Sequence, residues 1–231
     1  MIDWHNHVLP AMDDGSRDVA ESIAMLGMHA SQGVGTVIAT PHFYANDESV
    51  DSFLERRRRS YETLKEQLPP DAPAVLLGAE VRYYQGISRL ADLKKLRIEG
   101  SKLLLLEMPM NTWTEYMIRE LIELSGKGGL RIVLAHIERY LNLQSRDVWD
   151  RLRESGILMQ TNASFFTALS TRRKAMTLLR EGDIHFLGSD CHNLTSRPPQ
   201  IGKAFEAIQK KLGVDYIQLM NEYGYSVLRQ E

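Results

Sequence analysis

Two histidines, His5 and His7, close a short apolar run at the start of the chain, and two aspartates, Asp13 and Asp14, follow soon after. In an extended strand, residues i and i+2 project from one face, so both imidazoles can address one ion from one side. Such a pair alone fits a strand cap or a core filler equally well. Similar side chains recur, however, each behind a short apolar run. His42 follows VGTVIATP, Glu80 ends VLLGAE, Glu107 ends KLLLLE and His136 ends RIVLAH. Asn162 ends ILMQTN, and Asp190 and His192 close IHFLGSDCH. Any one of these would ordinarily be a loop cap. Burying Glu107 behind four leucines without a partner would cost several kcal/mol, on the order of a lost buried ion pair.

Those side chains supply nitrogen and oxygen donors with no thiolate, because Cys191 is the lone cysteine. Such a set favours manganese, iron, zinc or magnesium over a structural zinc cluster. The candidates are His5, His7, one of the Asp13–Asp14 pair, His42, Glu80, Glu107, His136, Asp190 and His192, more than one ion can use. Two or three ions are therefore implied. Clustered divalent ions suit phosphoester hydrolysis: they acidify a water, neutralise phosphate and stabilise the leaving oxygen. Arg139 and Arg197, close after His136 and His192, are placed to offer guanidinium forks to phosphoryl oxygens.

Positioning these residues requires strands alternating with helices. Expected strands cover residues 2–5, 34–40, 75–80, 102–107, 131–136, 157–162 and 184–190. Between them, amphipathic patterns predict helices over residues 47–68, 112–127, 145–155, 170–180 and 201–212, with a short tail at the end. An earlier helix starts at an Asp18-x-x-Glu21 capping box, carries Val19, Ile23, Leu26 and Ala30 as a stripe, and stops near Gly33. Apolar strands alternating with helices imply a parallel sheet buried on both faces. An open sheet would spread the strand ends along a line, whereas a barrel gathers them at one mouth, where α/β barrels carry their active sites. The expectation is a single-domain, seven-stranded (β/α)7 barrel over residues 1–231. His29, in a helix, and His185, inside a strand, fall outside this pattern and are read as structural.

Composition narrows the function classes. A net charge of −2 leaves no basic footprint for nucleic acid or a membrane surface. The apolar runs are too short for a membrane span, and His5 and Asp13 interrupt any leader-like segment. The lone cysteine fits a reducing compartment, so a cytoplasmic protein is expected.

With these residues in view, the chain resembles the polymerase-and-histidinol-phosphatase (PHP) superfamily. Within it the likeness is to the bacterial metal-dependent protein tyrosine phosphatases of capsule and exopolysaccharide synthesis. It rests on IDWHNHVLPAMDDG, ATPHF, LGAEVRY, LLLEMP, AHIERY and GSDCHNLTSRPP and covers essentially the whole chain. The resemblance implies a distorted seven-stranded barrel with a trinuclear site, usually written with manganese. It implies His5, His7, Glu80 and Asp190 on one ion, Glu80, Glu107 and His136 on a second, and Asp14, His42 and His192 on the third. Between Asp13 and Asp14 the residues do not decide. Arg139 and Arg197 match phosphate-binding arginines of the family. The implied substrate is the phosphotyrosine tail of a partner tyrosine autokinase. Glu55-x-x-Arg58-Arg59 matches a pattern linked to ring-like oligomers in some members; ion pairs along a solvated helix face explain it as well.

Other readings share these residues. Cys191 and Arg197 form a literal Cys-x5-Arg, the pattern of cysteine-dependent tyrosine phosphatases. That loop lacks glycine, and in an extended segment its thiol would point away from the ions. A small-molecule phosphatase of the histidinol-phosphate type could use the same barrel. An amidohydrolase also starts with HxH, but no lysine ends a core strand here. A non-catalytic regulator of a kinase tail would have little use for so full a ligand set.

Overall fold

The structure is a computed structural model describing residues 1–90 and 92–229. Its strands are β1 (Ile2–Asn6), β2 (Thr36–Ala39), β3 (His42–Phe43), β4 (Ala74–Leu77), β5 (Glu80–Arg82), β6 (Leu103–Glu107), β7 (Arg131–Leu134), β8 (Leu158–Asn162) and β9 (Phe186–Gly188). All pair in parallel, in a three-stranded sheet ordered β1-β2-β4 and a curled six-stranded sheet ordered β3-β5-β6-β7-β8-β9. The first and last strands also meet: Asp190 N–H donates to His5 O at 2.8 Å and His7 N–H to Cys191 O at 3.1 Å.

The fold class is the parallel α/β one expected, but the count of seven strands is not what forms. The second expected segment forms β2 only, with β3 added beyond Pro41, and the third divides into β4 and β5; at both places the chain hands over from one sheet to the other. Pro41 has no N–H to give a ladder, and the neighbouring segment breaks opposite it at Gly78–Ala79.

Among the described residues eight α-helices connect and cover the strands: α1 (Val19–Ser31), α2 (Val50–Lys65), α3 (Glu115–Leu124), α4 (Arg146–Glu154), α5 (Ser164–Thr167), α6 (Arg172–Arg180), α7 (Ile201–Leu212) and α8 (Val214–Leu228). Asp18 caps α1 by accepting the Glu21 N–H at 2.9 Å, while the Glu21 carboxylate reaches back to the Arg17 N–H, one residue beyond the partner a reciprocal box would use. Glu55 pairs with both Arg58 and Arg59 on exposed turns of α2, and Arg58 also pairs with Glu62. Among the described residues no helix is long and apolar enough to cross a membrane.

The strands carry apolar residues on both faces, and two buried clusters result. The larger lies between sheets and helices and includes Leu104, Leu106, Ile132 and Leu134. The smaller fills the inside of the curl with Ile2, Trp4, Ile38, Leu103, Leu105, Val133, Ala135, Leu158 and Phe186. Its floor is closed by Val227 and Leu228 of α8, the segment expected to be a short tail. Gly224 makes that docking possible, because a Cβ there would lie 3.0 Å from the Trp4 ring and 3.2 Å from Ile2. Each larger leucine or phenylalanine so buried contributes about 1.5–3 kcal/mol.

Candidate metal centre

A step of two residues carries each strand from its apolar interior to the mouth. Leu103 and Leu105 point inside the curl, and Glu107 is next in that series. Leu158 is followed by Gln160 and Asn162 in the same way. Register then sets neighbours side by side, with His42 opposite Glu80 and Arg82 opposite Glu107. Strand β1 departs from simple alternation. Between Asp3 and Asn6 it spends one residue more than β2, a β-bulge. Trp4 and His5 therefore both face inward, while Asp3 and Asn6 share the outer side, joined by a 3.0 Å hydrogen bond. The bulge aims His5 at the mouth. His136 (φ 35°) and Asp190 (φ 52°) reach it through left-handed backbone, a conformation non-glycine residues hold only where surrounding contacts compel it.

Donor atoms crowd at this mouth. His5 Nε2 lies 3.1 Å from Glu80 Oε2, 3.6 Å from Asp190 Oδ1 and 3.2 Å from His7 Nε2. His7 Nε2 is 3.4 Å from Glu80 Oε2 and 3.5 Å from Asp190 Oδ1. The other Glu80 oxygen sits 2.9 Å from His136 Nε2, which is 3.6 Å from Glu107 Oε1. His42 Nε2 and His192 Nε2 lie 3.4 and 3.3 Å from Asp14 Oδ1. The remaining His42 nitrogen is 2.9 Å from Glu80 Oε2. Ligands about 2.1 Å from a shared ion stand about 3.0–3.4 Å apart in octahedral or tetrahedral geometry, the spacing of these atoms.

The residues fit metal ions on two further grounds. Among the described residues, His42 Nδ1, Glu80 Oε2, Glu107 Oε2 and His192 Nε2 are buried without a properly aligned hydrogen bond, although their neighbours are close. Atoms that near yet misaligned as donor and acceptor suit lone pairs converging on a common point. Second, four imidazoles have Nδ1 engaged elsewhere: His5 with Gln160 Oε1 (3.3 Å), His7 with Asp13 Oδ2 (2.8 Å), His136 with the Tyr140 hydroxyl (3.2 Å) and His192 with Asp190 O (3.0 Å). Each acceptor selects the Nδ1–H tautomer and leaves Nε2 free to ligate, the outer-shell arrangement of histidine metal sites.

Sequence reasoning missed Gln160 and Tyr140 among these supports. Gln160 also accepts the His136 N–H at 2.7 Å, and Tyr140 donates to Met108 O at 2.8 Å. Asn162 donates to Asp190 Oδ2 at 2.8 Å. Asp13 turns both oxygens inward, accepting from His7 Nδ1 and the His42 N–H on one and the Gly15 N–H on the other. Asp14 instead faces His42 and His192. Gly188 is the backbone that lets His5 in, since a Cβ there would stand 2.5 Å from His5 Cβ. The interior parity of residues 158, 160 and 162 carried a signal for Gln160; nothing in the sequence marked Tyr140.

Arg139 and Arg197 converge from different loops on Asp190 Oδ2, at 2.6 and 2.8 Å. With Asn162, Ser164 and Ser196 they line a pocket of about 240 Å³ beside the donor cluster. Burial works against charge at Glu80 and Asp190, yet the histidines around each hold both carboxyls well below the usual range. Burial also opposes the charge of His7, but Asp13, Asp190 and Glu80 raise its pKa well above the ordinary value.

Behind β1 lies a second polar group that faces away from the mouth. Asp3 and His29 form a fully buried pair at 2.7 Å, and Asp3 also accepts from Ser189 N–H and Oγ at 2.7 and 2.6 Å. Cys191 belongs here: it is 0% exposed and its sulfur accepts from Asn6 Nδ2 at 3.1 Å. The thiol thus points away from the ligand face, and the Cys-x5-Arg match is a coincidence of spacing. His29 and His185 both lie outside the donor cluster, His185 accepting the Met159 N–H at 3.1 Å.

The chain is 32% identical to the tyrosine-protein phosphatase YwqE of Bacillus subtilis, over all of this chain and 92% of that protein. It is 31% identical to the tyrosine-protein phosphatase CpsB of Streptococcus pneumoniae, over 92% of this chain and 91% of that one. A crystal structure from work on YwqE and CpsB, described there as unique metal-dependent tyrosine phosphatases, superposes with a TM-score of 0.81 at 28% identity, covering 100% of this chain and 96% of the other. The family described as capsular polysaccharide synthesis, CpsB/CapC, matches residues 1–228, and the chain belongs to it.

Proposed function

We propose that this chain is a metal-dependent phosphotyrosine-protein phosphatase, acting on the phosphotyrosine tail of a bacterial tyrosine autokinase in the cytoplasm. The observation that carries the reading is the set of Nδ1-anchored imidazoles whose Nε2 atoms meet carboxylate oxygens at the mouth of a parallel α/β fold, beside two converging arginines. The names of the relatives supply the substrate class. In this reading the fold is a distorted PHP-type barrel, with the curled six-stranded sheet and the three-stranded sheet forming its wall.

His5, His7, Glu80 and Asp190 would hold one ion, Glu80 would bridge to a second held with Glu107 and His136, and Asp14, His42 and His192 would hold a third. Manganese is the ion proposed. Bound divalent ions would acidify a water and screen the phosphoryl charge. Asp14, Glu80, Glu107 and Asp190 would offset part of the charge of such ions, and a phosphate dianion would add to that balance. Arg139 and Arg197 hold phosphoryl oxygens by exchanging part of their contact with Asp190 for the substrate. Asn162 keeps Asp190 oriented during that exchange. Tyrosine, with a pKa of about 10, is a good leaving group and needs little proton donation.

Exhaustive chelation should abolish hydrolysis of a phosphotyrosyl peptide, and Mn²⁺ should restore it. Full activity in protein shown metal-free by elemental analysis would refute the reading. Turnover of histidinol phosphate above that of the peptide would favour the small-molecule alternative.

A further inference from the structure

Away from the mouth, α6 and α7 enclose a groove of about 840 Å³. Arg172, Arg173 and Arg180 line it from α6, and Lys210 and Lys211 from α7; all five are exposed and no carboxylate lines the groove. Among the described residues none of the five has an ion-pair partner. This is unusual in a chain whose net charge is −2.

Local helix energetics do not explain the pattern. Arg172 and Arg173 occupy the first turn of α6, which has no acidic residue, so they face the positive end of the helix dipole. Cations there cost stability rather than add it. Along α6 the lining residues recur at positions 172, 173, 176, 177 and 180, a single helix face. Between the charges lie Met176 and the small Ala207, and Leu169 stands 84% exposed at one end.

We propose that this groove binds an acidic segment of the phosphoprotein substrate, in extended conformation, beside the phosphotyrosine held at the mouth. The proposal rests on the phosphatase reading above. Opposed cationic walls around an apolar floor suit one polypeptide strand better than a flat layer of lipid headgroups. From Arg172 to Arg180 the groove runs about 12 Å along the helix, room for about four extended residues. Ser164 lines the mouth pocket and Leu169 the groove. Four residues of chain lie between them, so the near edges of the two sites are at most about 18 Å apart. An acidic run beginning about five residues from the phosphotyrosine would reach.

The test uses Mn²⁺-loaded full-length enzyme and two fluorescent phosphotyrosyl peptide sets. One set carries four glutamates starting five or six residues from the phosphotyrosine, on either side; in the other these are glutamines. Anisotropy with the unphosphorylated versions reads the groove without catalysis. Wild type should bind and turn over one acidic peptide about tenfold better than its glutamine counterpart, with a preference that fades in salt. Arg173→Glu/Lys210→Glu should lose that preference and hydrolyse p-nitrophenyl phosphate as wild type does; the double glutamine variant should fall between. Equal handling of acidic and neutral peptides by wild type would overturn the proposal. So would charge-dependent binding to phosphatidylglycerol vesicles without any peptide preference. Failure of wild type to hydrolyse any phosphotyrosyl substrate would strike the phosphatase reading instead, and anisotropy would still report whether the groove prefers acidic chain.

Discussion

Replacing Asp13 tests whether the centre depends on a residue that holds a ligand without being one. Its carboxylate accepts three hydrogen bonds, from His7 Nδ1 at 2.8 Å, the His42 N–H at 2.9 Å and the Gly15 N–H at 2.9 Å. Burial works against this charge, yet the hydrogen bond and charge of His7, with the two backbone donors, hold its pKa below the usual range. In Asp13→Asn the new NH2 must face a donor whichever way the amide turns. Turned toward Gly15 it loses one bond; turned the other way it opposes both His7 and His42. The lesser loss leaves one N–H unpaired, at about 1–3 kcal/mol, and His7 loses the charge that fixed its tautomer. Losing such an outer partner lowers metal affinity about 10- to 100-fold, or roughly 1.4–2.7 kcal/mol. Titration of apoprotein with Mn²⁺ against a competing chelator would measure it, with Asp14→Asn alongside. Asp13→Asn should keep the full number of sites at reduced affinity, whereas Asp14→Asn should lose a site. An Asp13→Asn protein that binds as tightly as wild type, or that loses an ion outright, would refute the assignment.

Cys191→Ser should keep most of its phosphatase turnover, because the thiol lies behind β1 among Asn6, His29 and Ser189; loss of turnover at intact metal content would revive the thiolate mechanism. For His29, burial opposes the positive charge, but the hydrogen bond and charge of Asp3 outweigh it and lift the pKa from 6.5 to about 10. A folded-state pKa above the unfolded one gives a contribution that is whole below pH 6.5 and is lost as pH rises through about 10. His29→Gln should therefore cost on the order of 3 kcal/mol near neutrality, and its urea midpoint should approach that of wild type toward pH 10. A gap independent of pH would show that the pair is not ionised.

Much of the fold and most of the candidate centre could be read in advance because parallel strands write their interior face every second residue. Leu103, Leu105 and Glu107 form one such series, and the step from leucine to glutamate marks where the mouth begins. Where local backbone departs from that rule, the sequence was silent. The β1 bulge puts Trp4 and His5 on one face, so the i, i+2 spacing of His5 and His7 held for a reason that simple alternation does not contain. The break near Gly78 divided one expected strand, β3 formed beyond Pro41 where none was expected, and tertiary pairing set which sheet each piece joined. α8 read as a tail because its apolar positions serve a plug of the interior rather than one long stripe, with Gly224 placed for contact with Trp4. Asp13 and Asp14 are chemically identical in sequence. Only the turn through Gly15 and the approach of the His42 N–H separate them.

The two polar groups flanking β1 make opposite use of burial. Behind the strand, Asp3 and His29 cancel each other at 2.7 Å, and serine and asparagine donors satisfy the remaining carboxylate lone pairs. That group is electrically complete, so its work is to hold the backbone of residues 3–6 and 189–191 in place. In front, Nδ1 anchoring leaves the Nε2 atoms of His5, His7, His136 and His192 turned to the carboxylates; Arg139 and Arg197 both lean on Asp190, Arg82 reaches Glu107 only at 3.5 Å, and among the described residues Glu80 meets imidazoles alone. Burying such carboxylates is costly unless cations meet them. A closed pair would satisfy the protein at either position. The open arrangement in front is the one that would leave an attraction for ions and phosphate, and the bulge in β1 turns Asp3 and His5 to opposite sides of the strand.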